Sequence, residues 1–209
     1  MYQGPLHFQT IRISLPVRAI YARLGFRKGV TELKPAEKEK VDKTIEEAKD
    51  IVHLKGAARI IGILQVDHVG IELEGGIILS SSSLARMLSG CTQVLLMGAT
   101  AGQKIMDAIA QATSSDNLTR AVVLDAVASE MTDGALDWIM DYVNQDLMRR
   151  VQHLTKKRFS AGYGDFYLEN QKAMYDLLRM GTIGVSITDR CILIPEKSVT
   201  AIAGVAALR

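Results

Sequence analysis

Proline, cysteine and long uncharged apolar runs are all scarce in this sequence, and neither sign of charge is in surplus. Only Pro5, Pro16, Pro35 and Pro195 occur in the 209 residues. The stretch between Pro35 and Pro195 can therefore hold uninterrupted helices, because nothing in it removes a backbone donor. The two cysteines, Cys91 and Cys191, stand far apart with no CxxC pairing. That usage argues against a disulfide scaffold and fits a cytoplasmic protein. Residues 1–10 lack a basic segment followed by an apolar core, so no signal peptide is expected. No uncharged apolar run approaches the roughly 18 residues of a membrane span. Basic and acidic residues number 25 and 23, a formal charge of +2. That balance supplies no electrostatic reason to expect nucleic acid or an anionic membrane as partner. What is present is hydrophobic residue, 48% of the chain, enough for one sizeable core in one domain or two small ones.

Along the chain, Pro35 opens a charged segment in which Val41, Ile45, Ala48, Ile51 and Val52 recur at helical spacing, with Gly56 as its stop. β-rich runs follow at 59–64, 69–73 and 75–80, with Gly75-Gly76 predicting a hairpin turn. Ser81 to Ser83 supply N-caps for a short helix ending near Gly90. The run 93–97 reads as a buried strand, and helical spacing returns at Ile105, Ile109 and Ala112. Asn117 caps the next helix, through Met131, and a further helix runs through Leu136, Ile139, Val143 and Leu147. Beyond Arg158 come a glycine-rich loop, a helix over 169–179, short strands at 185–187 and 191–194, and an apolar end at 199–208. The irregular succession of strands and helices predicts an α+β fold, helices packed on a twisted and largely antiparallel sheet.

Several motifs fail on spacing. Gly98 to Ile105 resembles a phosphate loop, but three residues separate Gly98 from Gly102, Gln103 intervenes, and Ile105 replaces the required hydroxyl. The four histidines form no i,i+4 pair and have no cysteine companions, so no metal site is expected. Asp67-His68-Val69-Gly70 has the wrong spacing for a cobalt-ligating histidine element, leaving His68 as a strand or turn residue. No GxSxG elbow is present.

The informative segment is Arg158-Phe159-Ser160-Ala161-Gly162-Tyr163-Gly164-Asp165. It reads as an arginine just past a long helix, followed by a loop in which two glycines flank an aromatic ring. The planar guanidinium fork suits a carboxylate, and charge-assisted bonds of that kind contribute about 1.5–3 kcal/mol each. Gly162 permits close backbone approach to a flat ligand. A ligand with a carboxylate at one end and an aromatic base at the other suits such a loop. The same residues also suit a plainer role, Arg158 capping a helix C-terminus and the glycines turning the chain.

The segment carries the Arg-x-x-x-Gly-Tyr signature and resembles the reactivation (activation) domain of cobalamin-dependent methionine synthase. Two further blocks follow in the family's order. Residues 183–189, Ile-Gly-Val-Ser-Ile-Thr-Asp, look like its Gly-x-x-Leu-Thr-Glu element, and residues 194–200, Ile-Pro-Glu-Lys-Ser-Val-Thr, are similar to its Trp-Pro-Gly-Ala-Ser-Val-Ser strand. Gly90-Cys91, Thr100 and Leu124-Asp125-Ala126-Val127-Ala128-Ser129 look like compact stand-alone relatives. The resemblance is specific over residues 122–200 and implies a single domain spanning 1–209.

It implies an S-adenosylmethionine-binding module that supports reductive re-methylation of cobalamin carried by a partner. The partners would be a corrinoid-binding protein or methionine synthase modules and a flavodoxin- or ferredoxin-type electron donor. Any activity would be that of a methyltransferase component. Arg158 falls on the arginine that holds the ligand carboxylate, and Asp133 on a ligand-binding glutamate. Ser160, Ala161 and Gly162 fall on the loop whose backbone contacts the ligand, Tyr163 on the tyrosine toward the cobalt face, and Leu193 and Pro195 on the strand against the corrinoid. The sequence departs from the pattern in three ways. Asp133 is one methylene short, Ala161 replaces a proline, and a further ligand tyrosine beyond the last strand has no counterpart. Those departures keep open an alternative, a non-catalytic docking protein for a corrinoid protein or its reductase. A methyltransferase with a small thiol or amine acceptor ranks last, since no general base is evident.

Overall fold

The apolar run at 93–97 is the centre of strand β5 (Gln93–Thr100), buried over nearly its whole length, and the computed structural model builds outward from it. The structure describes residues 4–27, 29–31 and 33–207. The predicted apolar end therefore lies within them except for Leu208. On one side β5 pairs with β2 (Lys55–Val66), and on the other with β9 (Ser198–Ala207). β3 (Gly70–Leu73) and β4 (Ile77–Ser80) extend the β2 side, and β6 (Gln152–Phe159) closes the β9 side, giving the order β4-β3-β2-β5-β9-β6. β1 (Leu6–Phe8) pairs with the first part of β2, and every one of these pairings is antiparallel. A separate two-stranded sheet joins β7 (Ser186–Ile187) to β8 (Leu193–Ile194).

Alternation along the central strands sends side chains to two dry layers. Leu95, Met97 and Ala99 of β5 join Ala58, Ala201, Ala203 and Val205 in one layer, while Val94 and Leu96 join Ala57, Ile61 and Ile202 in the other. The first layer is covered by α1 (Val17–Arg23), α2 (Pro35–Ile51), α4 (Gln103–Ser114) and α5 (Leu118–Met148). The second is covered by α3 (Ser82–Met87), α6 (Asn170–Leu178) and a 3-10 turn at Met180–Ile183. Because both faces are buried, the central strands are apolar at consecutive positions and lack the clean alternation of a half-exposed strand. The fold class is α+β, as expected.

Close approach between layers depends on missing Cβ atoms. At Gly204 of β9 a Cβ would stand 2.5 Å from Cys91 Sγ and 2.9 Å from Thr155 Cγ2. At Gly134, midway along α5, it would stand 2.7 Å from Ile13 Cδ1. Gly134 bears on a difference from expectation. The two helices expected between Asn117 and Leu147 are one helix of 31 residues, about 46 Å long. One glycine costs a helix only about 1 kcal/mol, and burial along both halves of α5 outweighs that. The Asn117 cap forms as expected, its side chain accepting from the Arg120 N–H at 3.2 Å. Three other differences concern β1, α1 and β6, which have no counterpart in the sequence reading. Gly56, read as a helix stop, lies inside β2, and α2 ends at Ile51. No helix among the described residues is long and apolar enough to cross a membrane.

Candidate functional site

One side of α5 carries Asp125, Ser129, Asp133 and Asp137 at four-residue intervals, which sets them a turn apart in a row, with Glu130 beside it. Three cations from three other elements meet this row. Lys197, just before β9, lies 2.7 Å from Asp125 Oδ1 and donates to Ser129 Oγ at 3.0 Å. Arg23, the last residue of α1, bonds Glu130 Oε1 at 2.5 Å and lies 3.8 Å from Asp133 Oδ2. Arg158 of β6 donates through Nη1 to the Asp137 carboxylate. Its Nη2 donates to the Asp133 backbone carbonyl at 3.4 Å and lies 3.8 Å from Asp133 Oδ1.

Local structure explains why these cations arrive. α1 is anchored by the fully buried Ile20, and the segment before it packs Ile13 into the space left by Gly134. β6 returns from the end of α5 through a tight turn, and Asn144 Oδ1 accepts from the Leu154 N–H at 3.0 Å. The β6–β9 register shifts between Leu154 and Arg158, and Thr155 Oγ1 bridges the gap by accepting from the Gly204 N–H at 2.9 Å. Arg158 thus sits in a strand, against its sequence reading just past a helix. Its neighbour across the layer is the middle of α5.

Electrostatically the row is crowded. Burial pushes the Asp133 carboxyl above the ordinary range for aspartate; Arg158 opposes the rise, and Glu130 adds to it. The hydrogen bond to Glu130 holds the Arg23 guanidinium above its ordinary value.

The glycine loop follows β6 directly. Gly162 adopts φ +90°, and its N–H donates to the Phe166 carbonyl at 2.7 Å. The Ser160 carbonyl accepts from the Tyr163 N–H at 3.3 Å, so Ser160 serves the turn through its backbone. Phe166 is fully buried and stacks on Phe159 with ring centroids 6.0 Å apart. Asp165 pins the loop to the start of α3. It accepts from Ser81 Oγ at 2.8 Å, Ser82 Oγ at 2.7 Å and the Ser83 N–H at 3.0 Å, and these bonds push its carboxyl far below the usual range. The outcome is a fixed turn from which the Tyr163 ring projects, 69% exposed.

Of the residues singled out in the sequence, Arg158 and Asp133 are in contact, and Ser160, Ala161, Gly162 and Tyr163 form the turn that follows. Leu193 is buried in the same apolar cluster as Ala161, and Pro195 is buried as well. The exposed side chains on that strand and its approach are Ile192 and Ile194. Sequence reasoning assigned no individual role to Arg23, Asp125, Ser129, Glu130, Asp137, Asp165 or Lys197. The four-residue spacing of the α5 row was available as a signal; Arg23 and Lys197, which face it beside Arg158, had none. Among the described residues no group of three or more His, Cys, Asp or Glu is placed to hold a metal ion. The α5 face carries alternating fixed charges suited to charged groups of either sign, while the exposed Tyr163 ring stands on the turn that follows β6.

No protein-family model matches the chain. No curated protein matches it either. Among solved structures, the crystal structure of the MetH reactivation domain bound to AdoHcy is similar, with a TM-score of 0.68 and 12% sequence identity. The match covers 96% of this chain and 78% of that one. The chain therefore has the fold of the MetH reactivation domain, α+β with helices on an antiparallel sheet.

Proposed function

We propose that the chain, over residues 1–209, acts as one cytoplasmic S-adenosylmethionine-binding module that supports reductive re-methylation of a corrinoid cofactor on a separate partner protein. The observation that carries this reading is the contact of Arg158 with Asp133 immediately before the Ser160–Tyr163 turn. Those groups match the ligand's three handles. Arg158 takes the carboxylate, Asp133 faces the ammonium and sulfonium charges, and the turn offers backbone groups and the Tyr163 ring to the nucleoside. The AdoHcy in the structurally similar reactivation domain supports the choice of ligand class.

The cobalamin would be held by a corrinoid-binding protein or by methionine synthase modules, with a flavodoxin- or ferredoxin-type donor supplying the electron. The ligand supplies a methyl group that leaves its sulfonium for reduced cobalt. The chain's own part, as a methyltransferase component, is orientation. Leu193 and Pro195 support the strand on the corrinoid side from within, while Tyr163 and Ile194 present surface there. A second reading, a docking protein that binds no S-adenosylmethionine, is favoured by one observation: the Arg158 fork already holds Asp137.

Calorimetric titration with S-adenosylmethionine and S-adenosylhomocysteine tests the proposal. Saturable binding is expected, weakened at least about tenfold, or 1.4 kcal/mol, by Arg158→Ala. Unchanged affinity in that variant removes the role of Arg158. A folded protein that binds neither ligand selects the docking reading.

A further inference from the structure

Asp137 is two-thirds exposed, and its only polar partner among the described residues is Arg158. Arg158 itself is three-quarters covered, and both ends of its fork are taken. Nη1 serves Asp137 and approaches Met140 Sδ at 4.0 Å, while Nη2 serves the Asp133 carbonyl and carboxylate. The two carboxylates differ in freedom. Asp133 is half-buried, is shared with Arg23, and presents its backbone oxygen as well. Asp137 lies one turn farther along α5 with nothing else to hold it. A guanidinium has few directions from which a second carboxylate can bond it in plane. An incoming carboxylate therefore competes with the partner that is easiest to release.

We infer that Asp137 is a resident carboxylate, which occupies the Arg158 fork until a ligand carboxylate replaces it, and so sets both the affinity and the selectivity of the site. This rests on the proposed S-adenosylmethionine reading. The exchange makes and breaks one charge-assisted hydrogen bond of the same type, so the fork never stands uncompensated. A ligand lacking a carboxylate gains nothing from displacing Asp137. One that has a carboxylate binds with its gross Arg158 interaction reduced by the strength of the resident pair. Part-exposed ion pairs of this kind contribute up to about 1 kcal/mol, which corresponds to several-fold in affinity.

The test uses two uncharged-sulfur probes, so that removing an acidic residue does not act through a sulfonium. S-adenosylhomocysteine carries the amino-acid carboxylate, and 5′-methylthioadenosine has the same nucleoside thioether without it. Calorimetry on the full chain compares the wild type, Asp137→Asn, Asp137→Ala and Asp141→Asn. The last makes the same charge change one turn farther along α5, at a residue with no partner among the described residues. The expected result is affinity for S-adenosylhomocysteine raised about threefold or more in both Asp137 variants. Methylthioadenosine should be unchanged in them, and both probes unchanged in Asp141→Asn. Equal gains for the two probes, or a gain in Asp141→Asn as large as in Asp137→Asn, reduce the effect to general electrostatics and overturn the exchange. Wild-type binding with no gain in either Asp137 variant overturns the exchange alone. Absence of binding in the wild type and in every variant overturns the ligand reading and the exchange with it. Binding by the Asp137 variants alone supports both.

Discussion

Replacing Gly204 with alanine places one methyl group where the sheet layers and the strand carrying Arg158 meet. The new Cβ would lie 2.5 Å from Cys91 Sγ, 2.9 Å from Thr155 Cγ2 and 3.0 Å from Leu88 Cδ2. All three contacts are inside van der Waals separation, and two of the neighbours have little freedom. Thr155 is branched at Cβ and held by the hydrogen bond from the Gly204 N–H to its hydroxyl, and Leu88 is fully buried. Overpacking of this kind costs about 1–3 kcal/mol. Alanine recovers about 0.4–1 kcal/mol by restricting the unfolded chain. The net expectation is destabilisation by about 1–2 kcal/mol. For a chain of this size that lowers Tm by about 2–8 °C. Thermal melting and urea titration followed by circular dichroism read it directly. Cys91→Ala removes the nearest contact, so the double variant should lose less than the sum of the singles, with a coupling of about 0.5 kcal/mol or more. Strain passed to Thr155 also shifts the β6 segment that positions Arg158, so ligand affinity should fall together with stability. A Gly204→Ala protein as stable as wild type, or strict additivity with Cys91→Ala, refutes the packing argument.

Two predictions concern acidic residues. The Asp165 carboxyl is depressed by its bonds from Ser82, Ser83 and Ser81, so the stability it contributes is present above the unfolded aspartate pKa and lost as pH falls through the folded value. Asp165→Asn should therefore lower the urea midpoint clearly at pH 7 and progressively less toward pH 3; an equal loss at both pH values contradicts the capping role. The Asp133 carboxyl is raised, mainly by burial, so its effect has the opposite sign, and stability declines as pH rises through the folded value. Asp133→Asn should leave neutral-pH stability equal or higher while weakening S-adenosylmethionine binding, and a marked drop in Tm shows that its ion pairs outweigh its desolvation.

Features governed by short stretches of backbone could be read directly from the sequence. The Gly75-Gly76 turn, the Ser81 and Asn117 caps and the Pro35 helix start each satisfy backbone groups within a few residues. The resemblance around residues 158–163 extended that reach to the fold and brought Arg158 and Asp133 to notice together. β6 escaped because its charged stretch, Lys156-Lys157-Arg158, shows no strand alternation and pairs through an irregular register. α5 runs unbroken through Gly134 because of packing along its whole length, including Ile13, which fills the space beside that glycine and is distant in sequence.

The sequence by itself determined the residue types of the site: a guanidinium, a glycine turn with a tyrosine, and acidic residues at four-residue spacing, which only the continuous α5 brings into one row. Tertiary structure alone decided which charges meet. Arg23 comes from α1, Lys197 from the approach to β9 and Arg158 from β6, and they converge on α5 only because the strand order places those elements against it. The pairing of Arg158 with Asp137 belongs to that second group. Coulomb interactions act through a few ångströms of space whatever the separation along the chain, so local sequence holds no trace of them until the sheet has formed.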